Sequence, residues 1–351
     1  MSDVKGRSPI DGKKILFFSP AFFGYENKIK TKMTEMGASV DAFDARSVTG
    51  AFERALLKLG PALFDKKTEG YYAHIFSQVK RVPYDYVLIV KCDMPTERVL
   101  KAYRKQFKKA KLCLHMWDSV KNIPNVEKKF QYFDYISSFD RFDCLNNRLI
   151  HFRPLYYCDE YKKEQKAGAS YDYDLCFIGT IHSDRWKILK DIKKQAVRRG
   201  LRMFCYPYLQ SPFIYWFYKL TKPEFWDTDR KEFRFGKISG EEAAWQVARS
   251  KAVIDIQHPG QTGLTIRTIE MLGMHKKLIT TNADIQNYDF YRPENIQVID
   301  RKRPRLAGEL KADYAALDEK TYEAYSLESW IYGVLGIGAE APCSGCRAAD
   351  K

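Results

Sequence analysis

The sequence predicts an α/β fold of two doubly wound domains facing each other across a cleft, and three observations carry that expectation. The chain has 351 residues, more than the ~250–300 at which single hydrophobic cores stop growing. Short, near-continuous apolar runs alternate with helical patterns along its length, as parallel strands covered on both faces do. The alternation breaks off in a polar stretch without periodicity, residues 162–170, and then restarts, as at a linker. The expected division is 1–160 and 161–335, followed by a Gly/Ala-rich tail, 336–351, expected to be disordered.

In the first half, KILFFS at 14–19 is an apolar run that ends in a loop at 20–25. Residues 28–36 read as a helix stopped by Gly37, and 39–44 as the next strand. Residues 84–92, 111–115, 134–139 and 149–156 are further apolar runs of strand length. In the second half, strands are expected at 174–178, 202–206, 252–257, 278–281 and 296–299, with helices at 185–199 and 264–272. Ser239-Gly240-Glu241-Glu242 has the form of a capping box opening a helix to about Arg249. Open α/β sheets bind ligands at the carboxyl ends of their strands, so that is where functional residues are sought.

Composition narrows the function classes. Lys and Arg number 59 against 44 Asp and Glu, a formal charge of +15. That balance suits a phosphorylated ligand, nucleic acid or an acidic membrane face, or simply a soluble basic protein. The basic residues spread along the whole chain and form no nucleic-acid tail. No apolar run reaches the ~18 residues a membrane span needs. The polar start, 1–14, has no signal-peptide apolar region, and a cytoplasmic location is expected. Cys92, Cys113, Cys144, Cys158, Cys176 and Cys205 are isolated, like thiols of a reducing compartment. Cys343 and Cys346 form a C-x-x-C without a second pair or a nearby histidine, so zinc is not expected there.

The most informative stretch is 255–282, DIQHPGQTGLTIRTIEMLGMHKKLITTN. A strand ends at Gln257, a loop runs from His258 to Thr262, and Gly263 is expected to open a helix. The free amides and positive dipole end of a helix start suit a diphosphate, and Gly263 would let backbone approach it closely. Arg267 and Glu270 lie one turn apart. A carboxylate at Glu270 can accept the two hydroxyl hydrogens of a ribose; the alternative is a solvated Arg–Glu pair on an ordinary βαβ unit.

This stretch resembles the donor-binding segment of bacterial glycosyltransferases of the GT-B fold, in the style of those that assemble lipopolysaccharide, capsule and exopolysaccharide. Residues 284–300, DIQNYDFYRPENIQVID, and 173–186, YDLCFIGTIHSDRW, continue the resemblance. The loop FFGYENKIKTKM, 22–33, fits the acceptor side. The resemblance covers most of 13–335 and implies two Rossmann-like domains, an N-terminal acceptor side and a C-terminal donor side. It implies that Gly263, Leu264 and Thr265 hold the donor phosphates, Glu270 the ribose, and that Gly179, Thr180, His258 and Thr262 line the same pocket. Arg185 would neutralise phosphate. Many retaining members carry a second glutamate eight positions earlier; here that position is Thr262, which leaves the stereochemical course open.

In the N-terminal half, Asp118 follows a strand in HMWDS and is the first candidate for a base that takes the acceptor hydroxyl's proton, with His115 second and Asp93 third. Asp118 can equally cap a helix starting near Val120. Gly24 and Tyr25 belong to the acceptor-side loop, where Gly24 permits a tight approach or simply a turn. Two Asp-x-Asp patterns, Asp172/Asp174 and Asp227/Asp229, are not expected to hold metal: the first precedes its strand and the second lies in a charged loop. Residues 208–222, YLQSPFIYWFYKLTK, concentrate aromatics beside Lys219 and Lys222. They read either as a membrane-interface element or as a core-packing helix with a basic end.

The expectation is therefore a metal-independent glycosyltransferase without a cofactor. Its donor would be a nucleotide-sugar, UDP- or GDP-linked. Its acceptor would be a glycan or lipid-linked oligosaccharide, reached from the cytoplasmic side with peripheral contact to the anionic inner membrane. The alternatives are a nucleotide-sugar epimerase of similar two-domain build, a nucleotide-sugar sensor, and a basic nucleic-acid-binding protein. Nucleic acid is the least favoured partner, since no recognised RNA or DNA module occurs.

Overall fold

A computed structural model describes residues 7–47, 64–162, 171–308 and 313–338. The chain divides into two compact units. Unit 1 takes the residues up to Pro154 together with those from Ser326 onward, and unit 2 runs from Leu155 to Tyr325.

Unit 1 is built on a six-stranded parallel sheet ordered β2-β1-β3-β4-β5-β6. Its strands are β1 Lys14–Ser19, β2 Ser39–Asp44, β3 Tyr86–Val90, β4 Lys111–Met116, β5 Tyr135–Ser138 and β6 Ile150–Phe152. Its helices are α1 Tyr25–Glu35, α2 Asp65–Val79, α3 Glu97–Gln106, α4 Val126–Lys129 and α5 Arg141–Asn146. The inner strands are mostly apolar because both faces are covered, with Lys14 and Lys111 at strand starts and His115, Ser137 and Ser138 among the buried polar exceptions. Leu16, Phe18, Val87, Ile89, Leu112 and Leu114 pack one way, into a cluster with Tyr72, Ile75, Val79, Tyr103 and Phe107 from α2, α3 and the turn after α3.

Unit 2 repeats the plan with five parallel strands ordered β11-β10-β9-β7-β8. These are β7 Tyr173–Thr180, β8 Met203–Tyr208, β9 Ser250–Asp255, β10 Lys277–Thr280 and β11 Ile296–Val298. Its helices are α6 Arg185–Arg198, α7 Pro212–Thr221, α8 Gly240–Ala248, α9 Ile266–Gly273 and α10 Glu319–Glu323. Trp186, Ile188, Leu189 and Ile192 of α6 pack against Leu175, Phe177, Ala252 and Ile254 of the sheet. Ser239 caps α8 by accepting from the Glu242 amide at 3.1 Å, but Glu242 turns to Gln246 instead of closing the expected box.

The last helix, α11 Leu327–Leu335, corrects the expected domain limits, which placed 161–335 in one unit. It packs on β3, β4, β5 and α1 of unit 1, with Trp330, Ile331, Val334 and Leu335 fully buried. A Cβ on Gly333 would stand 2.5 Å from the Arg153 side chain, so only glycine allows this approach. Residues 155–160, assigned to the first domain by sequence, belong to unit 2. Tyr157 donates from its amide to the Tyr325 carbonyl at 2.9 Å and from its hydroxyl to the Tyr322 carbonyl at 3.1 Å. Gly336, at the start of the expected tail, closes α11 in a left-handed conformation and accepts from Lys111. Cys343, Cys346 and residues 163–170 of the expected linker lie outside the described residues.

Candidate functional site

Counted from the first strand of each unit, the order is 2-1-3-4-5-6 in unit 1 and 2-1-3-4-5 in unit 2, so the crevice where the order reverses lies beside the first and third strands. In unit 2 these are β7 and β9. The polar groups at and past their carboxyl ends are buried or half-buried and mutually bonded. Asp255 Oδ2 accepts from Thr265 Oγ1 at 2.6 Å and Thr268 Oγ1 at 2.8 Å. Thr281 donates to the Gln257 side chain, and Asn282 Nδ2 donates to the Thr262 carbonyl at 2.9 Å. A buried polar network holds its geometry only if every member is satisfied, and this one fixes the loop 258–265 between β9 and α9.

The helix start differs from expectation. Gly263 and Leu264 are buried and precede the helix, whose N-cap is Thr265 with extended backbone and a hydroxyl that accepts from the Thr268 amide at 3.2 Å. Hydrogen bonding of the Thr265 side chain to both Thr268 and Asp255 delays α9 by about one turn. The first helical amides are therefore those of Ile266 and Arg267, not of Leu264 and Thr265.

Cations gather at the same edge. Arg185 Nη1 donates to the Thr180 carbonyl at 2.7 Å and Nη2 to the Ile256 carbonyl, clamping β7 to the loop after β9, while its Nε is buried without a hydrogen-bond partner among the described residues. Burial pulls the Arg185 pKa down, against the favourable charge of Asp255. A Cβ at Gly179 would press on the Phe177 ring at 3.3 Å and touch the clamp at Arg185 Nη1 at 3.5 Å. Arg301, which follows β11, makes a two-pronged bond to Asp184 at 2.8 and 3.0 Å and also donates to Thr281 Oγ1 at 3.1 Å and the Gln257 carbonyl at 2.8 Å. Its hydrogen bonds hold the Asp184 carboxyl below its ordinary range. His182 and His258 lie with ring centroids 5.4 Å apart. Burial, then the charges of Arg185 and His258, pull the His182 pKa down to about 4. Arg301, Asp184, His182, Gln257 and Thr268 were not singled out by sequence, although Arg301 opens a basic run shortly after the last strand.

Glu270 is 2% exposed, so it is not the solvated partner of Arg267 that the sequence also allowed. Arg267 Nη1 stands 3.5 Å from Glu270 Oε2. Tyr161 neighbours the pair: its pKa is raised first by burial and then by the Glu270 charge.

In unit 1 the residues past β1, β3 and β4 make a different edge. Gly24 has φ +80° and caps α1, and a Cβ there would meet nothing within 4 Å, so the backbone angle alone calls for glycine. Phe22 and Tyr25 each lie edge-on to Trp117, at 6.4 and 6.2 Å, and Phe22 and Phe23 are exposed. Phe23 (φ +51°) and Lys91 (φ +67°) both hold left-handed backbone, each at a cost of about 1–3 kcal/mol. Asp118 accepts from the Ser119 amide at 3.1 Å and Asn122 Nδ2 at 2.9 Å, and Lys91 Nζ lies 3.5 Å from it. It does not cap the following turn, whose N-cap is Ser119 without a side-chain cap bond, and the Val120 amide donates to Asp143. Asp93 lies 3.6 Å from the same ammonium, with its pKa raised by burial.

His115 does not suit the role of a base. It is fully buried inside β4, 3.0 Å from Ser137 Oγ and edge-on to Trp330 at 5.1 Å, and burial pulls its pKa down to about 3. The Asp-x-Asp pairs are engaged elsewhere. Asp172 pairs with Arg249 and Asp174 with Arg202 at the amino end of β7; Asp227 pairs with Lys190, and Asp229 caps a short turn with Glu232. Among the described residues, no group of three His, Cys, Asp or Glu can hold a metal ion, and no helix is long and apolar enough to cross a membrane.

By sequence, no family model and no curated protein matches the chain. By structure it is similar to Alr3699/HepE of Anabaena in complex with UDP-glucose, with a TM-score of 0.52 and 13% identity over 92% of this chain and 94% of that one. It is also similar to the catalytic domain of starch synthase IV from Arabidopsis thaliana bound to ADP and acarbose, with a TM-score of 0.51 and 8% identity over 95% of this chain and 96% of that one. A lipopolysaccharide outer core galactosyltransferase, WaaB, in its apo form follows at 0.49 and 13%, over 92% and 99% of the two chains. At these identities the likeness shows the fold: the chain has the GT-B architecture, two α/β units of parallel, Rossmann-like sheets.

Proposed function

We propose that the chain is a glycosyltransferase that moves a sugar from a nucleotide-sugar, UDP- or GDP-linked, to a bacterial surface-glycan acceptor carried on a lipid, at the cytoplasmic face of the membrane. The observation that carries this reading is the edge of unit 2. His182, Arg185, His258 and Arg301 gather past β7 and β9, and the loop that follows β9 leads into α9, which carries a buried carboxylate at Glu270. Cations and helix-start amides suit a diphosphate, and a carboxylate suits the two hydroxyls of a ribose. The nucleotides held by the Anabaena protein and by starch synthase IV agree with that reading.

In this mechanism the donor diphosphate is a leaving group stabilised by fixed charges and amides rather than by a metal. Arg301, held by Asp184, and the first amides of α9 stabilise the charge that develops as the glycosidic bond breaks. Arg185 spends two of its nitrogens on backbone carbonyls, so it contributes as a fixed charge and a clamp. In unit 1 the exposed Phe22 ring, backed edge-on by Trp117, presents an apolar face to an acceptor sugar. Asp118, part exposed beside Lys91, takes the acceptor hydroxyl's proton, a role worth about 10²–10⁴ in rate.

The test is a panel of UDP, GDP, ADP and their sugars, read as a melting-temperature shift in the wild type and in Glu270→Gln. A ligand that binds only the native state must raise its stability. One nucleotide is expected to stabilise the wild type, with about 10-fold weaker binding in the variant, the worth of one hydrogen bond to a charged group. A wild type that no nucleotide shifts, while an unrelated polyanion does, overturns the reading.

A further inference from the structure

The aromatic run at 208–222 is both a packing element and an exposed one. Helix α7 opens at Ser211, whose hydroxyl accepts from the Ile214 amide at 3.3 Å, with Pro212 in its first turn. Ile214, Tyr215 and Tyr218 face the core of unit 2. Tyr215 is buried and donates to the Thr228 carbonyl at 3.0 Å, and Tyr218 packs on Phe225 at 5.1 Å. The opposite stripe, spaced i, i+3, i+4, i+7, is Phe213 (77% exposed), Trp216 (55%), Phe217 (52%) and Leu220 (81%). Trp226, in the turn that follows, is also exposed. No polar residue interrupts the stripe. Scattered exposed apolar residues need no explanation, but two turns of one helix face do.

What borders the stripe is basic. Lys219 and Lys222 lie at its carboxyl end. The segment after α7 is held by α6, through Trp186 Nε1 to the Glu224 carbonyl at 3.1 Å and Lys193 to Glu232 at 2.9 Å. Helix α6 carries Arg185, Lys187, Lys190, Lys193, Lys194 and Arg198 against the single acid Asp191, and Lys187, Lys194 and Arg198 are exposed. A second copy of this chain would bring like charges together here, in a protein of formal charge +15. An anionic lipid surface meets both features. Its acyl region takes Phe213 and Leu220, its headgroup boundary takes Trp216 and Trp226, and its charge attracts the lysines.

We propose that the exposed face of α7, with basic α6 beside it, is a membrane-docking face that seats unit 2 on an anionic lipid surface. The inference does not depend on which reaction the chain carries out. The experiment is vesicle flotation of the full chain with phosphatidylcholine vesicles and with mixed phosphatidylglycerol–phosphatidylcholine vesicles. The variants are Phe213→Ser/Leu220→Ser and, as a control on another helix, Trp245→Ser, with far-UV melting and chromatographic size recorded for each. The wild type is expected to float with the anionic vesicles only, and less so at high salt. The double variant is expected to lose at least about 10-fold of that binding, with the control unchanged. Quenching of wild-type tryptophan fluorescence by brominated lipid, weakened in Trp216→Phe, gives a readout that does not need the double variant to fold. A wild type that stays with the unbound protein, a Phe213→Ser/Leu220→Ser variant that floats as well as the wild type, or a wild-type dimer that these substitutions split without any vesicle binding overturns the proposal.

Discussion

Units 1 and 2 share a parallel sheet whose first five strands follow the same order, six strands in one and five in the other, yet present opposite chemistry at the same topological place. Past β7 and β9, unit 2 gathers two arginines and two histidines around threonine hydroxyls. Past β1, β3 and β4, unit 1 gathers aromatic rings, two carboxylates and one lysine. The backbone plan sets where a ligand sits, and the side chains at strand ends set what it is. Fixed cations suit an anion. Rings with carboxylates suit a neutral, hydroxyl-rich ligand whose proton must be removed. The units also differ in how they are completed: the helices of unit 2 come from its own run of chain, whereas unit 1 borrows α11 from beyond unit 2.

That borrowing gives the largest expected effect. Trp330→Ala removes a fully buried ring from the face of the unit 1 sheet, at a cost of about 3–5 kcal/mol. Urea unfolding is expected to show an earlier transition, while the melting shift produced by UDP or GDP, read in unit 2, survives. If the nucleotide response disappears together with the early transition, the two units do not unfold independently. Next in size is Asp118→Asn, expected to lower turnover by about 10²–10⁴-fold and to leave nucleotide affinity unchanged. A loss confined to affinity would move Asp118 from proton transfer to binding and erase the contrast between the two edges.

Much of this architecture was legible in the sequence, because a parallel strand covered on both faces is mostly apolar, whatever single polar residue such as His115 it buries. Strands β1 and β2 occupy the residues expected, and the other strand limits fall within a few residues of expectation. What periodicity does not encode is which sheet an apolar helix covers. The 327–335 run is apolar in either place, and only the small size of Gly333 against Arg153 hints at its partner. Nor does it encode competition for a hydroxyl, which is why Thr265 and Asp255 displace the start of α9 from Gly263. Of the expected site residues, Thr180, Arg185, Thr262 and Thr265 fall in the unit 2 network past the ends of β7, β9 and β10. His115 fell out because a residue in a strand alternates faces, and its face is covered by Trp330. Arg301 was missed because it is remote in sequence from everything it binds.

The smallest expected effect bears most directly on the cationic edge of unit 2. His182 titrates near 4 in the fold, below an ordinary histidine at about 6.5. The native state therefore binds fewer protons than the unfolded chain in this window. Its contribution to stability is fully present above about pH 6.5 and is lost as pH falls toward 4. A diphosphate placed among His182, Arg185 and Arg301 reverses the balance, because a nearby anion favours the charged imidazole and raises its pKa. Binding must then take up a proton, and UDP or GDP affinity should gain roughly 3- to 10-fold between about pH 7.5 and 5.5 relative to His182→Asn. Using the variant as reference cancels protonation of the nucleotide itself. Calorimetry in buffers of different ionisation enthalpy counts the proton directly. Identical proton uptake in the two proteins would place the phosphates away from His182, and the cations past β7 and β9 would then have to be read as a clamp on the strand ends rather than as a seat for an anion.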